Sequence, residues 1–465
     1  MPFAVPSALP RAIFRANDIR GNVHNELTND VVYAIGLAFG SEMIKNHEQK
    51  IIIAQDGRLS SPGLAKALIQ GLKECGVDIT DIGAVPTPFL YFATHMLETS
   101  SGIMITGSHN PSDDNGLKII LKGEIISEDQ LSALYDRIKA KNFSNNNKHG
   151  KVNIFDITNS YCSEVFNRVK IKRKLRVVVD CGNGIVGKFF PDLARKLGCE
   201  VIELFCKVDG TFPNHFPDPS ILKNMTDLVK SVADNQADLG VAFDGDGDRL
   251  GIVTDQGEII YADRVLMLFC KQVLKDCPQA TIIYDVKCTR LLDKWIKDLH
   301  GMPLMWKTGH SLIESKMREV KAKLAGEMSG HFYFVDRWFG FDDGLYSAAR
   351  LFEILSEQSA SLSRIFSQIP NSISTPELRI NFSDEEKFKF IDSFTKRAIF
   401  KNGKILTIDG VRVDFDFGFG LIRASNTSPS LILRFEADSE TNLKKIQEMF
   451  RVQMLAINPK LPMPF

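Results

Sequence analysis

The stretch Arg176–Gly187 reads RVVVDCGNGIVG, a run of β-branched residues that ends in a small polar tip and leads into a helix-like pattern. The same features recur at 51–60, IIIAQDGRLS, and at 281–292, TIIYDVKCTRLL. Each time a second and then a third strand-like run follows. Nearly continuous apolar strands that alternate with helices are typical of parallel sheets covered on both faces. The pattern therefore predicts three related α/β domains with mixed, mainly parallel sheets.

After Pro370 the character of the sequence changes. Strand-like runs alternate through ELRINF, VRVDFDF, GLIRAS and SLILRFEA, and a helix is predicted from about Ser439, which indicates a small C-terminal α+β domain. The domain boundaries are predicted at 1–152, 153–257, 258–370 and 371–465. Because ligands of open α/β sheets bind beyond the carboxyl ends of the strands, the tips are expected to face one central cleft.

The bulk composition excludes several classes of function. Lys+Arg and Asp+Glu both number 57 in 465 residues, so no basic surface for nucleic acid or an anionic membrane is indicated. No apolar run approaches the ~18 residues needed to span a bilayer, and no secretion signal is evident. The eight cysteines form no C-x-x-C pair, which argues against zinc and disulfides. A protein of the cytoplasm, with function confined to local sites, is expected.

The loop FDGDGDR places Asp244, Asp246 and Asp248 at alternate positions after a strand-like run. An EF-hand is the sharper rival reading, but it needs Gly at loop position six and usually Glu at position twelve, where this chain has Arg249 and Asp255. Three hard oxygens that leave coordination positions open suit Mg²⁺ shared with a phosphate. Arg249 would add a fixed positive charge to the same oxygens.

The tip of the first repeat, TGSHNPSDDNG at 106–116, carries one serine, Ser108, before an Asn-Pro turn. A nucleophile-elbow serine would lie between a strand and an immediate helix, with Gly two residues to either side. Here Gly107 precedes the serine directly and Pro111 follows three residues later, so acyl transfer is disfavoured.

Two further loops could bind a substrate. RASNTSPS at 423–430 offers a guanidinium, short polar side chains and backbone N–H groups, which suit a phosphate dianion. GEMSGHFYF at 326–334 spaces Glu327, Ser329 and His331 by two, so that an extended segment would point all three toward sugar hydroxyls. By themselves VPTPFL and HFPDPS are most simply proline turns.

Taken together, the motifs resemble the α-D-phosphohexomutase superfamily, and within it most closely the bacterial phosphomannomutase/phosphoglucomutase group. The resemblance runs over the whole chain, in the order IFRANDIRG, DGRLS, VPTP, TGSHNP, NGLKI, VVVDCGNG, FPNHFPDP, AFDGDGDR, DVKCTR, WKTGHSLI, GEMSGH, RWFGFDDG and RASNTSP. It implies reversible phosphoryl transfer between C1 and C6 of mannose and glucose phosphates, through a phosphoserine and a hexose 1,6-bisphosphate.

The resemblance also implies roles for individual residues. Mg²⁺ is expected on the three aspartates and an oxygen of Ser108. Charge stabilisation or proton transfer is expected from Arg20, His109, Lys118, Arg249 and His310. Substrate binding is expected from Asn17, Lys287, His310, Glu327, Ser329, His331, Arg423, Ser425, Asn426 and Thr427.

Asn17 departs from the group's pattern, because close relatives usually have tyrosine at this position of FRAYDIRG. The expected partners are hexose phosphates, without nucleic acid or membrane, for a monomeric enzyme. Three alternatives stay open: a phosphoglucosamine mutase, a metal-dependent sugar-phosphate phosphatase in which water takes the phosphoryl group from Ser108, and an inactive binding homologue. The intact serine, aspartates and Arg423 argue against the last.

Overall fold

The computed structural model describes residues 3–15, 18–144, 149–425 and 428–465. By its contacts the chain divides into two compact units, residues 1–261 with 329–365, and residues 262–328 with 366–465. In the described ranges, no helix combines the length and the apolar character needed to cross a membrane. All eight cysteines are free thiols.

The first sheet has the strand order β1-β5-β4-β2-β3-β7, with β6 paired to β5. Strands β4, β2, β3 and β7 run parallel, whereas β1 and β5 are antiparallel to their neighbours. Its strands are β1 (Ile19–Asn22), β2 (Lys50–Gln55), β3 (Asp78–Ala84), β4 (Gly102–Ile105), β5 (Asp114–Leu121), β6 (Glu124–Ile125) and β7 (Val152–Ile154). The helices of this region are α1 (Asn29–Lys45), α2 (Ser61–Glu74), α3 (Thr87–Met96) and α4 (Glu128–Lys139), after a 3₁₀ turn at Arg11–Ile13.

The second sheet has the order β12-β11-β10-β8-β9, in which β9, β8 and β10 run parallel. Its strands are β8 (Arg176–Asp180), β9 (Glu200–Leu204), β10 (Leu239–Phe243), β11 (Leu250–Thr254) and β12 (Ile259–Ile260). The helices are α5 (Thr158–Arg168), α6 (Phe190–Lys196) and α7 (Thr226–Asp234), with 3₁₀ turns at Ile185–Lys188 and Leu222–Met225.

In the second unit, β14, β13 and β15 form a parallel arrangement in that order. The elements that follow along the chain are α8 (Ala262–Asp276), β13 (Thr281–Asp285), α9 (Leu291–Asp298), β14 (Met302–Trp306), α10 (His310–Val320) and β15 (Leu324–Gly326). The next elements, β16 (Phe332–Phe334), α11 (Gly344–Ser356) and most of α12 (Leu362–Phe366), are counted with the first unit.

The C-terminal region is an antiparallel sheet of order β17-β22-β21-β20-β19, with β18 also paired to β22. Its elements are β17 (Ile373–Ser374), β18 (Leu378–Asn381), α13 (Asp384–Arg397), β19 (Lys404–Leu406), β20 (Val411–Phe415), β21 (Gly418–Ala424), β22 (Ser430–Ala437) and α14 (Glu440–Leu455). The predicted α+β tail is confirmed.

The threefold sequence pattern corresponds to a threefold strand topology. In each repeat the first strand lies in the middle, with the second and third strands parallel on either side: β3-β2-β4, β9-β8-β10 and β14-β13-β15. Each middle strand carries four consecutive buried residues, as expected for a strand covered on both faces. The predicted α/β repeats with mainly parallel sheets are confirmed, while the four domain boundaries stay predictions.

The helix starts follow local side-chain chemistry. Ser127 and Gln130 form a reciprocal capping box at α4, and Ser439 accepts from Asn442 N at the start of α14. Asp343 caps α11 by accepting from Tyr346 N. Each cap pairs a backbone N–H that has no partner within its helix.

Candidate active site

The serine loop, residues 106–111, starts at the carboxyl end of β4. Ser108 is buried and has the left-handed backbone conformation, with φ 48°. For a residue with a Cβ this costs about 1–2 kcal/mol relative to the right-handed form, so the surroundings must hold it. Thr106 Oγ1 accepts from Ser108 N at 2.8 Å, and Asn110 N donates to Gly107 O at 2.9 Å. The predicted turn around the serine is confirmed.

The carboxylate loop, residues 244–249, starts at the carboxyl end of β10. Gly247 N and Arg249 N both donate to Asp244 Oδ1 at 3.1 Å, so the loop orients its own first carboxylate. Gly247 has φ 82°, a conformation that L side chains rarely adopt. A side chain at Gly245 would collide with the carbonyl of Ser108. The glycines therefore allow a tight loop that closely approaches the serine.

The two loops meet at Ser108 and Asp244, where Ser108 Oγ donates to Asp244 Oδ2 at 2.8 Å. Asp244, Asp246 and Asp248 are buried, and each offers a carboxylate oxygen within 4.8 Å of the others. Within the described ranges, Asp246 Oδ1 and Asp248 Oδ1 accept no hydrogen bond. Since a buried carboxylate oxygen is costly without a partner, this donor set of hard oxygens fits a small divalent cation.

Lys118, on β5, ends between two of these carboxylates. Its Nζ donates to Asp246 Oδ2 at 2.8 Å and also to Asp248. Burial opposes the charge of Lys118, but the two carboxylates hold its pKa well above the usual value. For Asp244, burial and the two neighbouring carboxylates raise the pKa. A fixed cation beside closely spaced carboxylates is an arrangement suited to phosphate oxygens.

Arg249 connects the carboxylate loop to three other groups. Its Nε donates to His331 Nε2 at 3.1 Å, and it lies 3.7 Å from Asp218 and 4.0 Å from Asp244. Although burial opposes the charge, Asp218 and the aspartates of the loop raise the pKa of Arg249. The predicted fixed charge beside the carboxylates is thus present in the structure.

Two more predicted residues flank Ser108. His109 Nδ1 lies 3.0 Å from Ser108 Oγ; burial and the Arg249 guanidinium lower the pKa of this ring, so it is neutral near pH 7. Arg20, on β1, donates from Nη1 to Asn110 Oδ1 at 2.8 Å, while its Nη2 pairs with Asp18 at 2.8 Å. Both side chains therefore contact the serine loop or its oxygen.

The geometry predicted for the GEMSGH segment is wrong. Residues 328–329 form a turn and Gly330 has φ 97°, so 327–331 are not extended and their side chains do not alternate. In the first unit, His331 Nδ1 pairs with Asp342 Oδ2 at 2.9 Å and lies 3.7 Å from Asp248. Sequence reasoning assigned His331 to sugar hydroxyls, whereas its contacts here are with the charged groups of the site. The role of Ser329 in binding stays a prediction.

Four contributors to the site were not singled out from the sequence. Thr87, in VPTP, donates to Asp246. Asp218, in HFPDPS, pairs with Arg249, so neither segment is merely a proline turn. Arg58 binds the carbonyls of the serine loop, and Asp342 pairs with His331. All four lie in motifs that carry the family resemblance, and this position in the sequence could have identified them as candidates.

In the second unit, the loop after β13 holds Lys287. Its buried Nζ lies 3.3 Å from Glu377 Oε2 and 3.7 Å from Asp285 Oδ2. Burial favours the neutral acid at Glu377, but Lys287 overrides this effect and lowers the pKa of Glu377 to about 2. Lys287 is thus a charged, buried lysine held by carboxylates.

The predicted phosphate loop follows β21. Arg423 is buried, and its Nε donates to Asp409 Oδ2 at 3.0 Å. Ser425 Oγ accepts from both the N–H and the hydroxyl of Ser428, at 3.1 and 2.9 Å. Asn426 and Thr427, like Asn17, lie outside the described residues.

Glu327, which follows β15, contacts the backbone at the start of α10, where His310 is the first residue. Glu327 is buried, and its Oε1 accepts from Gly309 N at 2.7 Å. Gly309 has φ 131° and immediately precedes His310, the first residue of the helix. Glu327 therefore fixes the backbone that carries His310.

Four family models match the chain in succession. They are the phosphoglucomutase/phosphomannomutase alpha/beta/alpha domains I, II and III at residues 11–145, 159–257 and 261–373, and the C-terminal domain at 377–453. The chain is 50% identical to a phosphomannomutase/phosphoglucomutase of Pseudomonas putida over the full length of both. It is 46% identical to a phosphoglucomutase of Neisseria meningitidis, covering 98% of this chain and 99% of the relative.

The fold is also similar to the solved structure of a phosphoglucomutase/phosphomannomutase family protein from Burkholderia thailandensis. It superposes with a TM-score of 0.94 at 47% identity, over 98% of this chain and 100% of the other.

Proposed function

This chain belongs to the phosphoglucomutase/phosphomannomutase family and is a phosphohexomutase, and from that premise we propose that it shifts a phosphoryl group between C1 and C6 of a hexose phosphate through a phosphoserine at Ser108. The observation that carries the proposal is the 2.8 Å contact between Ser108 Oγ and Asp244 within a buried cluster of three carboxylates. This contact places the serine oxygen beside the carboxylates that could bind a divalent cation.

The transfer has two halves. Phosphoserine 108 gives its phosphoryl group to the free hydroxyl of a hexose monophosphate, and the resulting hexose 1,6-bisphosphate returns its other phosphoryl group to Ser108. In each half one P–O bond forms as another breaks, the attacking hydroxyl gives up its proton, and the departing oxygen takes up a proton. Catalysis of this kind depends on positioning and on neutralising charge.

The residues present fit Mg²⁺, which Asp244, Asp246, Asp248 and an oxygen on Ser108 would hold. When bound, it would neutralise negative charge on the transferring phosphoryl group. Arg20 and Arg249 supply fixed positive charge near Ser108. Lys118 adds a third cation at Asp246 and Asp248.

His109 is the side chain best supported as the proton partner of Ser108. Its Nδ1 lies 3.0 Å from Ser108 Oγ, and the lowered pKa leaves a ring nitrogen able to accept a proton. When Ser108 takes up the second phosphoryl group, its hydroxyl can give its proton to this ring nitrogen. His310 is proposed to assist at the substrate.

Mannose and glucose phosphates are the proposed substrates, because the relatives above carry phosphomannomutase and phosphoglucomutase in their names. In the second unit, Lys287, Arg423 and Ser425, with Asn426 and Thr427, are proposed to bind a phosphate group of the sugar. Glu327 is proposed to bind a sugar hydroxyl. We expect a monomer.

The phosphoserine is tested by intact-mass analysis and peptide mapping of the purified enzyme. One phosphate is expected on Ser108 and none in Ser108→Ala. Ser41→Ala is a matched control, because Ser41 is a buried serine whose hydroxyl donates to Leu37 O at 2.7 Å on α1. A fully active enzyme that never carries phosphate at Ser108 would contradict the proposed phosphoserine mechanism.

Coupled assays separate the alternatives. Incubation with mannose 1-phosphate or glucose 1-phosphate should give the 6-phosphate faster than inorganic phosphate appears. The reverse order would indicate a phosphatase. A higher kcat/KM on glucosamine 1-phosphate than on either hexose phosphate would indicate a phosphoglucosamine mutase.

A further inference from the structure

Arg58 lies in the loop between β2 and α2, and its side chain reaches beneath the serine loop. Its Nη2 donates to Ser108 O at 2.8 Å and to Asn110 O at 2.6 Å. Its Nη1 donates to Pro111 O at 2.5 Å and to Asp114 O at 2.9 Å. One guanidinium therefore binds three carbonyl groups of the serine loop and the carbonyl of Asp114, the first residue of β5.

The other end of the guanidinium lies beside a carboxylate. Arg58 Nε lies 3.3 Å from Asp56 Oδ2, and the same carboxylate accepts from Gly107 N at 3.3 Å. The ring of Phe212 lies over the guanidinium, with its centroid 5.0 Å from Cζ. Arg58 is only 2% exposed. Its donors are thus directed to the protein's own backbone rather than to a ligand in solvent.

Gly107 provides the space for this arrangement. A Cβ at Gly107 would lie 2.5 Å from Arg58 Cζ and 2.9 Å from Asp114 O. Both distances are shorter than a Cβ makes with a non-bonded heavy atom, so any other residue would displace the guanidinium or the loop. The residue before the serine therefore has to be glycine because Arg58 packs against it.

We propose that Arg58 is a positioning residue, which holds Ser108 in its left-handed conformation with Oγ directed at Asp244. The inference rests on Ser108 as the phosphoryl carrier. Without tertiary contacts a serine at φ 48° would relax toward a right-handed conformation, and Oγ would move away from the carboxylates. Only a planar guanidinium can bind four carbonyls in this way, because an ammonium offers three donors about one point.

The test compares Arg58→Lys with Arg350→Lys. Arg350 is the matched control: it is 1% exposed and pairs through both Nη atoms with Asp336, at 3.0 and 2.9 Å, on elements away from the serine loop. Both variants are measured for unfolding free energy in urea, for kcat and KM on glucose 1-phosphate, and for the ³¹P resonance of the phosphoserine. The ³¹P resonance reports the surroundings of the phosphate independently of turnover.

For Arg58→Lys we expect kcat to fall by about 100-fold or more, since a displacement on the order of 1 Å has that effect. KM should stay within about threefold, because substrate contacts are unchanged. The ³¹P resonance should shift or broaden. Arg350→Lys should lose comparable stability but keep the wild-type resonance and a kcat within about threefold. Arg58→Lys with near wild-type kcat, or an equal loss in Arg350→Lys, would overturn the proposal.

Asp56→Asn is a second variant in case Arg58→Lys does not fold. It keeps the shape of the side chain but removes the charge that fixes Arg58, and should lower kcat about tenfold with KM unchanged. Wild-type kinetics in Asp56→Asn would contradict the proposal. Failure of the proposed function is a separate result, since it would appear as wild-type enzyme without phosphate on Ser108.

Discussion

Thr87 and Asp246 are joined by two hydrogen bonds. Thr87 Oγ1 donates to Asp246 Oδ2 at 2.6 Å, and Thr87 N donates to Asp246 O at 2.8 Å. Thr87 is the first residue of α3, beside the first sheet. It thereby fixes the carboxylate of Asp246, which follows β10 of the second sheet. Mutation of a group that orients a metal ligand typically lowers metal affinity or activity by about 10–100-fold.

Thr87→Val should weaken Mg²⁺ binding by about 10–100-fold, because Asp246 loses its orienting hydroxyl while the backbone bond remains. Titration calorimetry with Mg²⁺ measures the effect. Thr289→Val is the control, since the buried Thr289 hydroxyl similarly donates to a carboxylate, Glu436, at 2.9 Å. The control should lose stability but retain Mg²⁺ affinity. Equal affinities in the two variants would contradict an orienting role for Thr87.

Asp246→Asn should lower kcat by well over about 100-fold, because electrostatic stabilisation of that size is expected from the carboxylates that are proposed to hold the metal. Loss of Asp244 or Asp248 should act in the same direction. Mg²⁺ titration and steady-state kinetics give the measurement. Asp263→Asn, which removes a buried carboxylate paired with Arg434 at 3.0 Å, should keep Mg²⁺ affinity. An Asp246→Asn enzyme that runs at the wild-type rate in EDTA would exclude a metal role.

Asp343→Asn should change how stability depends on pH. Burial raises the pKa of Asp343 to about 7, although Tyr346, Tyr161 and Trp338 donate hydrogen bonds to it. The folded protein therefore binds an extra proton between about pH 4 and 7, and stability is lost as the pH rises through that window. The change in the free energy of unfolding across this window is on the order of 4 kcal/mol.

The measurement is urea unfolding of wild type and Asp343→Asn at several pH values from 4 to 8. Asparagine keeps the cap at α11 but has no proton to lose, so the wild type should weaken relative to the variant as the pH rises. Parallel curves for the two proteins would show that Asp343 does not titrate in this range.

Gly107→Ala should reduce both stability and turnover. The added methyl group meets Arg58 and Asp114, and overpacking of this kind costs about 1–3 kcal/mol. Gly63→Ala, on α2, is the control because its Cβ would meet only the far end of Asn29, at 3.2 Å, and a helical alanine gains about 0.5–1 kcal/mol over glycine. Thermal unfolding and kcat are compared. A fully active Gly107→Ala enzyme would show that the serine loop can accommodate the added methyl group beside Arg58.

Dual specificity follows from the hydroxyls that Glu327 is proposed to bind. Mannose and glucose are identical at O3 and O4 and differ only at C2. A site that merely tolerates the C2 hydroxyl discriminates by no more than about 100-fold, so kcat/KM for the two 1-phosphates should agree within that factor. Glu327→Ala should lower both alike. A preference beyond about a thousandfold, or a variant that spares one sugar, would show that O2 is recognised.

Much of the fold was predictable because its signal is local. Apolar runs such as IIIA and VVV mark buried strands, and the repeat of strand, helix and strand marks the units. The tips after β4 and β10 were predictable for the same reason, as each polar group directly follows its strand. The GEMSGH segment shows the limit, since a period of two was apparent in the sequence but the backbone turns at 328–330.

The sequence by itself determined which residues lie at the strand ends, and so identified Ser108 and the three aspartates. Only the tertiary structure decided what holds them. Thr87 and Asp246 are 159 residues apart, and Arg58 is 50 residues from Ser108. Such contacts leave no periodicity along the chain, because the pairing of distant side chains depends on how sheets and loops pack in space. A buried arginine or threonine in a turn motif becomes interpretable only when its partners are known.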